Sequence, residues 1–345
     1  MALITPFDDF PIHQTAETLA VPSSSDRNHY DRYWFNGFSE EKDFLFEIGV
    51  GFYPNRHIMD AHFSISTAGK QYSYHASARM NPARYPINIG PISLEILEPM
   101  HKIKFSLKDP EKKLSCDLIF NAITEPHLEP KSLIIEGTRK ILETSRFTQF
   151  GKWDGSIETE SGNLDLTKEY GTRDKSWGVR PVGEPEIGAP GKLNAEPGVY
   201  WCWIPINFGD TFTHFGTFED HDGNSTQLSA DLVEISNNEV IKPLNNISHK
   251  VDWIKGTRWS SGAQISAQEG DKKIEINAKA CGPRFHCKGI GYQHPEWGHG
   301  FWKGEEAVGY EVWDLNEINP EDYSFFHIHQ IIKATMNDSE GYGTL

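Results

Sequence analysis

The sequence predicts an all-β protein of two antiparallel barrels or sandwiches packed together, on three observations. Apolar and polar residues alternate with a period of two, helical periodicity is nearly missing, and turn residues recur at short intervals. From Lys113 to Phe120 the set Leu114, Cys116, Leu118 and Phe120 falls on one face, and Ile92, Leu94 and Ile96 repeat the pattern. Only Ile134 to Leu142 carries a short helical spacing. Turn signals stand at Ala68-Gly69, Asp109-Pro110, Gly162-Asn163, Asp222-Gly223 and Glu269-Gly270-Asp271. Many short strands joined this way form closed antiparallel meanders.

The length of 345 residues exceeds what one hydrophobic core usually serves, so two domains are expected. The segment Pro181 to Gly191 holds three prolines and three glycines and cannot be a central strand. It divides the chain into domains 1–185 and 186–345. No repeat of 20 to 50 residues is visible, which favours two unlike barrels over an array.

The formal charge of −16 repels phosphate backbones and anionic membrane surfaces, so nucleic acid is not an expected partner. The N-terminal stretch has no signal-like apolar run, and no later stretch is apolar enough to span a bilayer, so a cytoplasmic protein without stable membrane insertion is expected. Cys116, Cys202, Cys281 and Cys287 form no CxxC pair and read as reduced thiols near the core. The 20 Phe, 12 Tyr and 10 Trp are many for so polar a chain and point to an apolar small-molecule ligand.

Chemistry concentrates in two segments. Gly171 to Pro181 packs Arg173, Asp174, Lys175 and Arg180 around Trp177. A carboxyl there either ties a neighbouring cation and is held ionised, or is buried against apolar surface and keeps its proton. Gly291 to Trp302 holds His294, Glu296, Trp297, His299 and Trp302 on a Gly/Pro loop, so the histidines lack helical metal-ligand spacing. His327 and His329 share one strand face and raise the metal question again, yet ordinary hydrogen bonding is the expectation and no metal is assigned. Three further groups are either candidate cavity walls or ordinary structure: Trp201 with Trp203 on one face, and Tyr33, Trp34 and Phe35 in a segment read as a clasp plugging a barrel mouth, both with core packing as the other role, and His214 with Phe218 on a strand that ends in a solvated acidic turn. Nucleotide-binding, serine-elbow and zincin motifs are missing, so no cofactor is expected.

The segments GTRDKSWGVRP (171–181) and HPEWGHG (294–300) resemble an uncharacterised bacterial branch of the AttH/CrtC-like superfamily of paired lipocalin-like barrels, which includes carotenoid 1,2-hydratase. The resemblance to that branch runs from Asp26 to Trp302. Asp174-Lys-Ser-Trp-Gly178 matches the Asp and Gly of the hydratase strand-end motif Asp-x-Asn-x-Gly, with Ser176 in place of the Asn and Thr172 where the hydratases have an aromatic. The resemblance implies two lipocalin-like barrels and a proton-donor role for Asp174. The superfamily also holds fungal cyclases, so it leaves the reaction open.

The function expected from these readings is a cofactor-independent lyase, isomerase or cyclase acting on a terpenoid, steroid or polyene in an aromatic-lined cavity. Asp174, His294 and His299 are the expected catalytic residues; Arg173, Trp177, Trp297, Trp302, Trp201, Trp203, His214, Tyr33 and Trp34 the substrate-binding ones. The alternative is a carrier that binds the same class of ligand without transforming it.

Overall fold

The computed structural model describes residues 6–111, 113–183, 200–235 and 240–345, and among these the strands form two antiparallel sheets, each curled into a nearly closed barrel. The first contains β1 (His29–Ser39), β2 (Phe44–Tyr53), β3 (Ile58–Thr67), β4 (Lys70–Arg79), β5 (Ile87–Ile89), β6 (Ile92–Glu98), β7 (Lys102–Lys108), β8 (Leu114–Ala122), β9 (His127–Leu128), β10 (Ser132–Glu136), β11 (Arg139–Thr159) and β12 (Gly162–Val179). The second contains β13 (Tyr200–Asn207), β14 (Thr211–Glu219), β15 (Ser225–Glu234), β16 (Val240–Pro243), β17 (Asn245–Trp253), β18 (Ser260–Glu269), β19 (Lys272–His286), β21 (Ile328–Met336) and β22 (Ser339–Thr344). One strand crosses over: β20 (Glu306–Asp314) leaves the second half of the chain and pairs with β4, from Glu306 opposite Ala78 to Asp314 opposite Lys70. The boundary expected at 185/186 lies outside the described residues. No helix among the described residues is long and apolar enough to cross a membrane.

Alternation sorts the side chains as the sequence predicts. Leu114, Cys116, Leu118 and Phe120 enter the first barrel core with Phe35, Phe46, Phe63 and Trp153, all of them buried. Cys202, Ile204, Ile206, Phe215 and Ile332 belong to the second core. Three expectations are corrected. Ile134 to Leu142 is the β10/β11 hairpin rather than a helix, because Gly137 takes a left-handed φ of 58° and reverses the chain between Glu136 and Arg139. The turn expected at Gly162-Asn163 sits two residues earlier, since Thr159 pairs with Gly162 across Glu160 and Ser161. Tyr33, Trp34 and Phe35 are not plugs in a clasp across a barrel mouth: they lie within β1, a central strand paired on both sides, so successive side chains go to opposite faces.

A row of glycines allows the close packing beside that strand. Gly37, Gly171 and Gly151 are register partners on β1, β12 and β11. A Cβ on Gly171 would lie 2.5 Å from the Trp153 ring, and one on Gly37 2.2 Å from Phe46. Trp153 crosses this bare strip and donates its indole N–H to the Asn36 carbonyl at 2.7 Å. Gly171→Ala is therefore expected to cost about 2 to 4 kcal/mol of stability through overpacking, measured as a lower urea midpoint with an unchanged slope.

The barrels meet through their outer faces. Trp34, Phe38 and Leu45 of the first pack against Trp203, Phe285, Cys287, Ile290 and Ile331 of the second half. Polar clasps fix this seam. The Gln71 amide donates to the His286 carbonyl at 2.8 Å and accepts the His286 backbone N–H at 2.9 Å, while the Asn36 amide donates to Thr344 Oγ1 at 3.2 Å.

Candidate active site

The seam opens into a cavity of about 200 Å³ between the two barrels, rather than inside either. Its first wall follows from the alternation of three adjacent strands. Tyr30, Arg32 and Trp34 of β1, Asp174 and Ser176 of β12, and Thr144 and Arg146 of β11 all lie on the outer face of the first barrel. Trp201, Trp203, Phe218, Tyr292, His327 and His329 supply the opposite wall. Trp201 and Trp203 stack 6.1 Å apart, and Trp34 meets Trp203 edge-on at 5.4 Å. The result is an apolar slot with a few convergent polar groups, the usual form of a small-molecule site.

Asp174 faces this slot from the middle of β12, opposite Trp34 on one side and Thr148 on the other. Its carboxyl makes no hydrogen bond or contact ion pair with any described residue. Burial pushes its pKa up to about 6, against the opposing pull of Arg146, Arg32 and Arg180 and with a further push from Glu129. Of the two alternatives the sequence left open, the geometry gives Asp174 no cation at contact distance. Arg146 is spoken for instead: its Nε and Nη2 donate to Glu129, which also accepts from Thr148 Oγ1 and lies 3.2 Å from His214 Nε2. Burial works against the Glu129 carboxylate, but Arg146 and His214 hold it well below its ordinary range. His214 in turn accepts the indole N–H of Trp203, so it backs the cavity wall without lining it.

The other expected site residues divide by strand parity and by loop. Arg173 and Trp177 point away from the slot because they alternate with Asp174 and Ser176. Arg173 is buried against Phe147 and Phe120 and donates to Gln149 Oε1, whereas Trp177 is 38% exposed, edge-on to Phe147 and beside Lys175. Tyr33 lies on that same opposite face, under the Lys175 ammonium. His299 stands behind the slot, its Nε2–H donated to the Ile290 carbonyl at 2.8 Å and its Nδ1 accepting from Arg180 at 3.2 Å. Burial, then Arg32, Arg180 and His62, keep it neutral. His294 is further removed, in a buried cluster with His75 and Glu311. Trp297 stacks on His75 at 5.5 Å, and Trp302 is exposed beneath the Arg79 guanidinium. The loop from Gly291 to Trp302 thus reaches the cavity through Tyr292.

Three side-chain groups bring metal-binding atoms close together: Cys287 with His327 and His329, His75 with His294 and Glu311, and His127 with His214 and Asp231. In the second, His294 Nδ1 accepts the backbone N–H groups of Glu296 and Trp297, which places its proton on Nε2 toward Glu311 at 2.7 Å and leaves no lone pair for an ion. In the first, His329 Nδ1 is paired with Glu47, which also receives the Trp34 indole N–H at 3.0 Å. Burial and Glu47 push the Cys287 thiol far up, away from the thiolate a metal would need.

Sequence reasoning missed Tyr30, Arg32, Glu129, Arg146 and Tyr292. The first two were accessible, because they share the parity of Trp34 on β1. The Glu129–Arg146 pair joins the loop after β9 to β11, and nothing local marks it.

Solved structures share this architecture at low identity. An AttH-like protein from Nitrosomonas europaea superposes with a TM-score of 0.56 at 12% identity, covering 100% of this chain and 96% of that one. Kievitone hydratase from Nectria haematococca superposes with a TM-score of 0.53 at 11% identity, covering 99% and 94%. At that identity the likeness shows the fold, a pair of lipocalin-like barrels, as the sequence resemblance implied. No curated protein matches the sequence. The chain belongs to a family of unknown function (DUF8625), whose model matches residues 4–345.

Proposed function

We propose that this member of a family of unknown function is a cofactor-independent lyase, isomerase or cyclase that protonates a carbon–carbon double bond of an apolar terpenoid, steroid or polyene. The observation that carries the reading is Asp174: a carboxyl without a contact partner, pushed toward its protonated form, facing three tryptophans in the seam between the barrels. A protein of the same fold bears the name hydratase, which accords with chemistry at a double bond.

In the first step the Asp174 O–H bond breaks and a C–H bond forms, leaving a carbocation and the Asp174 carboxylate. The faces of Trp201, Trp203 and Trp34 stabilise the cation, as aromatic quadrupoles do in a dry site. Three endings are open to it. A water attacks and passes its proton to neutral His327, giving an alcohol. A neighbouring proton returns to Asp174, giving the isomer. A second double bond attacks, closing a ring whose cation then loses a proton to the Asp174 carboxylate. His327 suits the first ending because it lines the cavity and is held neutral by burial, then His329, Arg180 and Arg32; these make it a weak base, which suffices for the strongly acidic oxonium left by water attack. It takes the water-handling role expected of His294 and His299, which stand outside the cavity.

The test is native mass spectrometry of the protein purified from its own host, with extraction of any bound molecule. A co-purifying isoprenoid, steroid or polyene, converted by the protein on turnover, is the expected result. A bound apolar molecule recovered unchanged after prolonged incubation would make the protein a carrier.

A further inference from the structure

The seam cavity holds two cations that the acid-catalysis scheme does not use. Arg32 is buried, with only 2% of its surface exposed, and Arg180 follows directly on β12; both line the cavity. Two neighbouring guanidiniums of the first barrel have defined polar partners, Arg146 with Glu129 and Arg173 with Gln149. Arg32 and Arg180 have no carboxylate at ion-pair distance among the described residues. Arg32 Nη2 reaches the Ile290 carbonyl at 3.4 Å and lies 3.3 Å from His299 Nε2, whose proton goes to that same carbonyl, and Arg180 Nη2 donates to Nδ1 of neutral His299 at 3.2 Å. The Nε–H groups of both are buried without any partner. Their remaining neighbours are tyrosines: Arg180 also hydrogen-bonds the Tyr292 side chain, and the Tyr292 ring lies 5.4 Å from Arg32 and 5.7 Å from Arg180, the Tyr30 ring 4.6 Å from Arg180.

A buried guanidinium offers five donors, and leaving most of them unmade is costly. The fold nonetheless makes room for Arg32. Gly49 has no side chain where Arg32 lies, and a Cβ there would sit 2.2 Å from Arg32 Nη2. The nearest acids are otherwise engaged. Asp60 accepts the Gly300 backbone N–H at 2.7 Å and the Tyr53 hydroxyl at 3.2 Å, and Asp174 must keep its proton to act as an acid. With Asp174 protonated, the cavity presents two cations whose charge only a ligand can answer.

We propose that Arg32 and Arg180 form a carboxylate-binding subsite on the Tyr292 side of the cavity, so that the molecule it accepts is an amphipathic acid with an apolar or polyene body and one carboxylate head. This rests on the reading of the seam as the substrate cavity. Planar guanidiniums match the two oxygens of a carboxylate, and each charge-assisted hydrogen bond is about twice as strong as a neutral one. The subsite also couples binding to catalysis. Arg32 and Arg180 both draw the Asp174 pKa down, and an anion between them screens that pull, so the bound acid helps Asp174 hold the proton it will deliver.

Isothermal titration of the full-length protein with 2-naphthoate and with 2-naphthalenemethanol, at pH 6 and low salt, where Asp174 holds its proton in a large fraction of molecules, tests this with ligands that differ in the head alone. The carboxylate is expected to bind at least about tenfold more tightly than the alcohol. Arg32→Gln and Arg180→Gln, each verified as folded by near-UV circular dichroism, are expected to erase that preference while leaving alcohol affinity within about threefold. The comparison in the unsubstituted protein stands even where a variant fails to fold. Equal binding of the two ligands, binding of the alcohol alone, or a preference untouched by folded variants at both arginines would overturn the subsite and leave the apolar cavity standing. Failure of both ligands to bind would overturn subsite and cavity together.

Discussion

Asp174→Asn is expected to lower kcat by about 10³-fold while ligand affinity changes less than about threefold. Asparagine fills the same space but has no acidic proton to give, and positioned general acids contribute about 10² to 10⁴ in rate. The pH profile supplies the second half of the prediction. With a pKa near 6, raised mainly by burial, the carboxyl is protonated in only about a tenth of molecules at pH 7. kcat/KM of the unsubstituted protein should accordingly fall about tenfold per pH unit above 6, and the residual rate of the variant should not follow that limb. Stability should move the other way. A carboxyl whose folded pKa exceeds its unfolded value contributes stability that is fully present below the ordinary carboxylate pKa and is lost as pH rises through about 6. At pH 8 the asparagine variant should thus be more stable, by about 1 to 2 kcal/mol in a urea titration, and much less active, the usual exchange at a site built for function. A protein that binds its ligand and shows no turnover to lose, with or without Asp174, would be a carrier.

The sequence made Asp174 and the paired tryptophans of β13 legible because each rests on strand parity or on a resembling motif. Two-residue alternation is a property of the chain itself, so Trp201 and Trp203 could be placed on one face before any fold was known. What parity cannot supply is the sense of the face. Asp174 and Trp177 stand three residues apart and so project to opposite sides of β12, yet their shared segment suggested a shared site. The structure puts Asp174 in the seam and Trp177 on the opposite face, partly exposed against Phe147. The loop around His294 shows the same limit. Its density of His, Glu and Trp read as chemistry, but most of it builds the buried His75–His294–Glu311 cluster where β20 joins the first barrel. That strand exchange depends on tertiary pairing between residues more than 200 positions apart, and no local pattern announces it. The cavity follows the same logic, since it belongs to the outer faces of both barrels and exists only once they dock.

The second large effect is expected at Glu129, whose carboxylate receives both Arg146 and Thr148 beneath the cavity wall. Glu129→Gln leaves the buried Arg146 guanidinium uncompensated, a loss of about 3 to 5 kcal/mol, which for a protein of this size lowers Tm by about 6 to 15 °C. The pH dependence identifies the cause. A carboxylate held below its ordinary pKa contributes stability that is present above the unfolded value, near 4.5, and is lost as pH falls through the folded one. The melting curves of the two proteins should lie far apart at pH 7 and approach each other in acid. Removing both partners distinguishes the cost of an orphaned charge from the worth of the pair: Glu129→Gln with Arg146→Met should recover most of the loss, because a buried ion pair replaced by neutral groups is often close to neutral in stability. Activity should separate the same variants in a different order. Glu129 pushes the Asp174 pKa up and Arg146 pulls it down more strongly, so the single variant should shift the alkaline limb of kcat/KM to lower pH and the double variant should shift it to higher pH. A pair that served only to hold β11 against the loop after β9 would change melting temperature in both variants and leave that limb where it was.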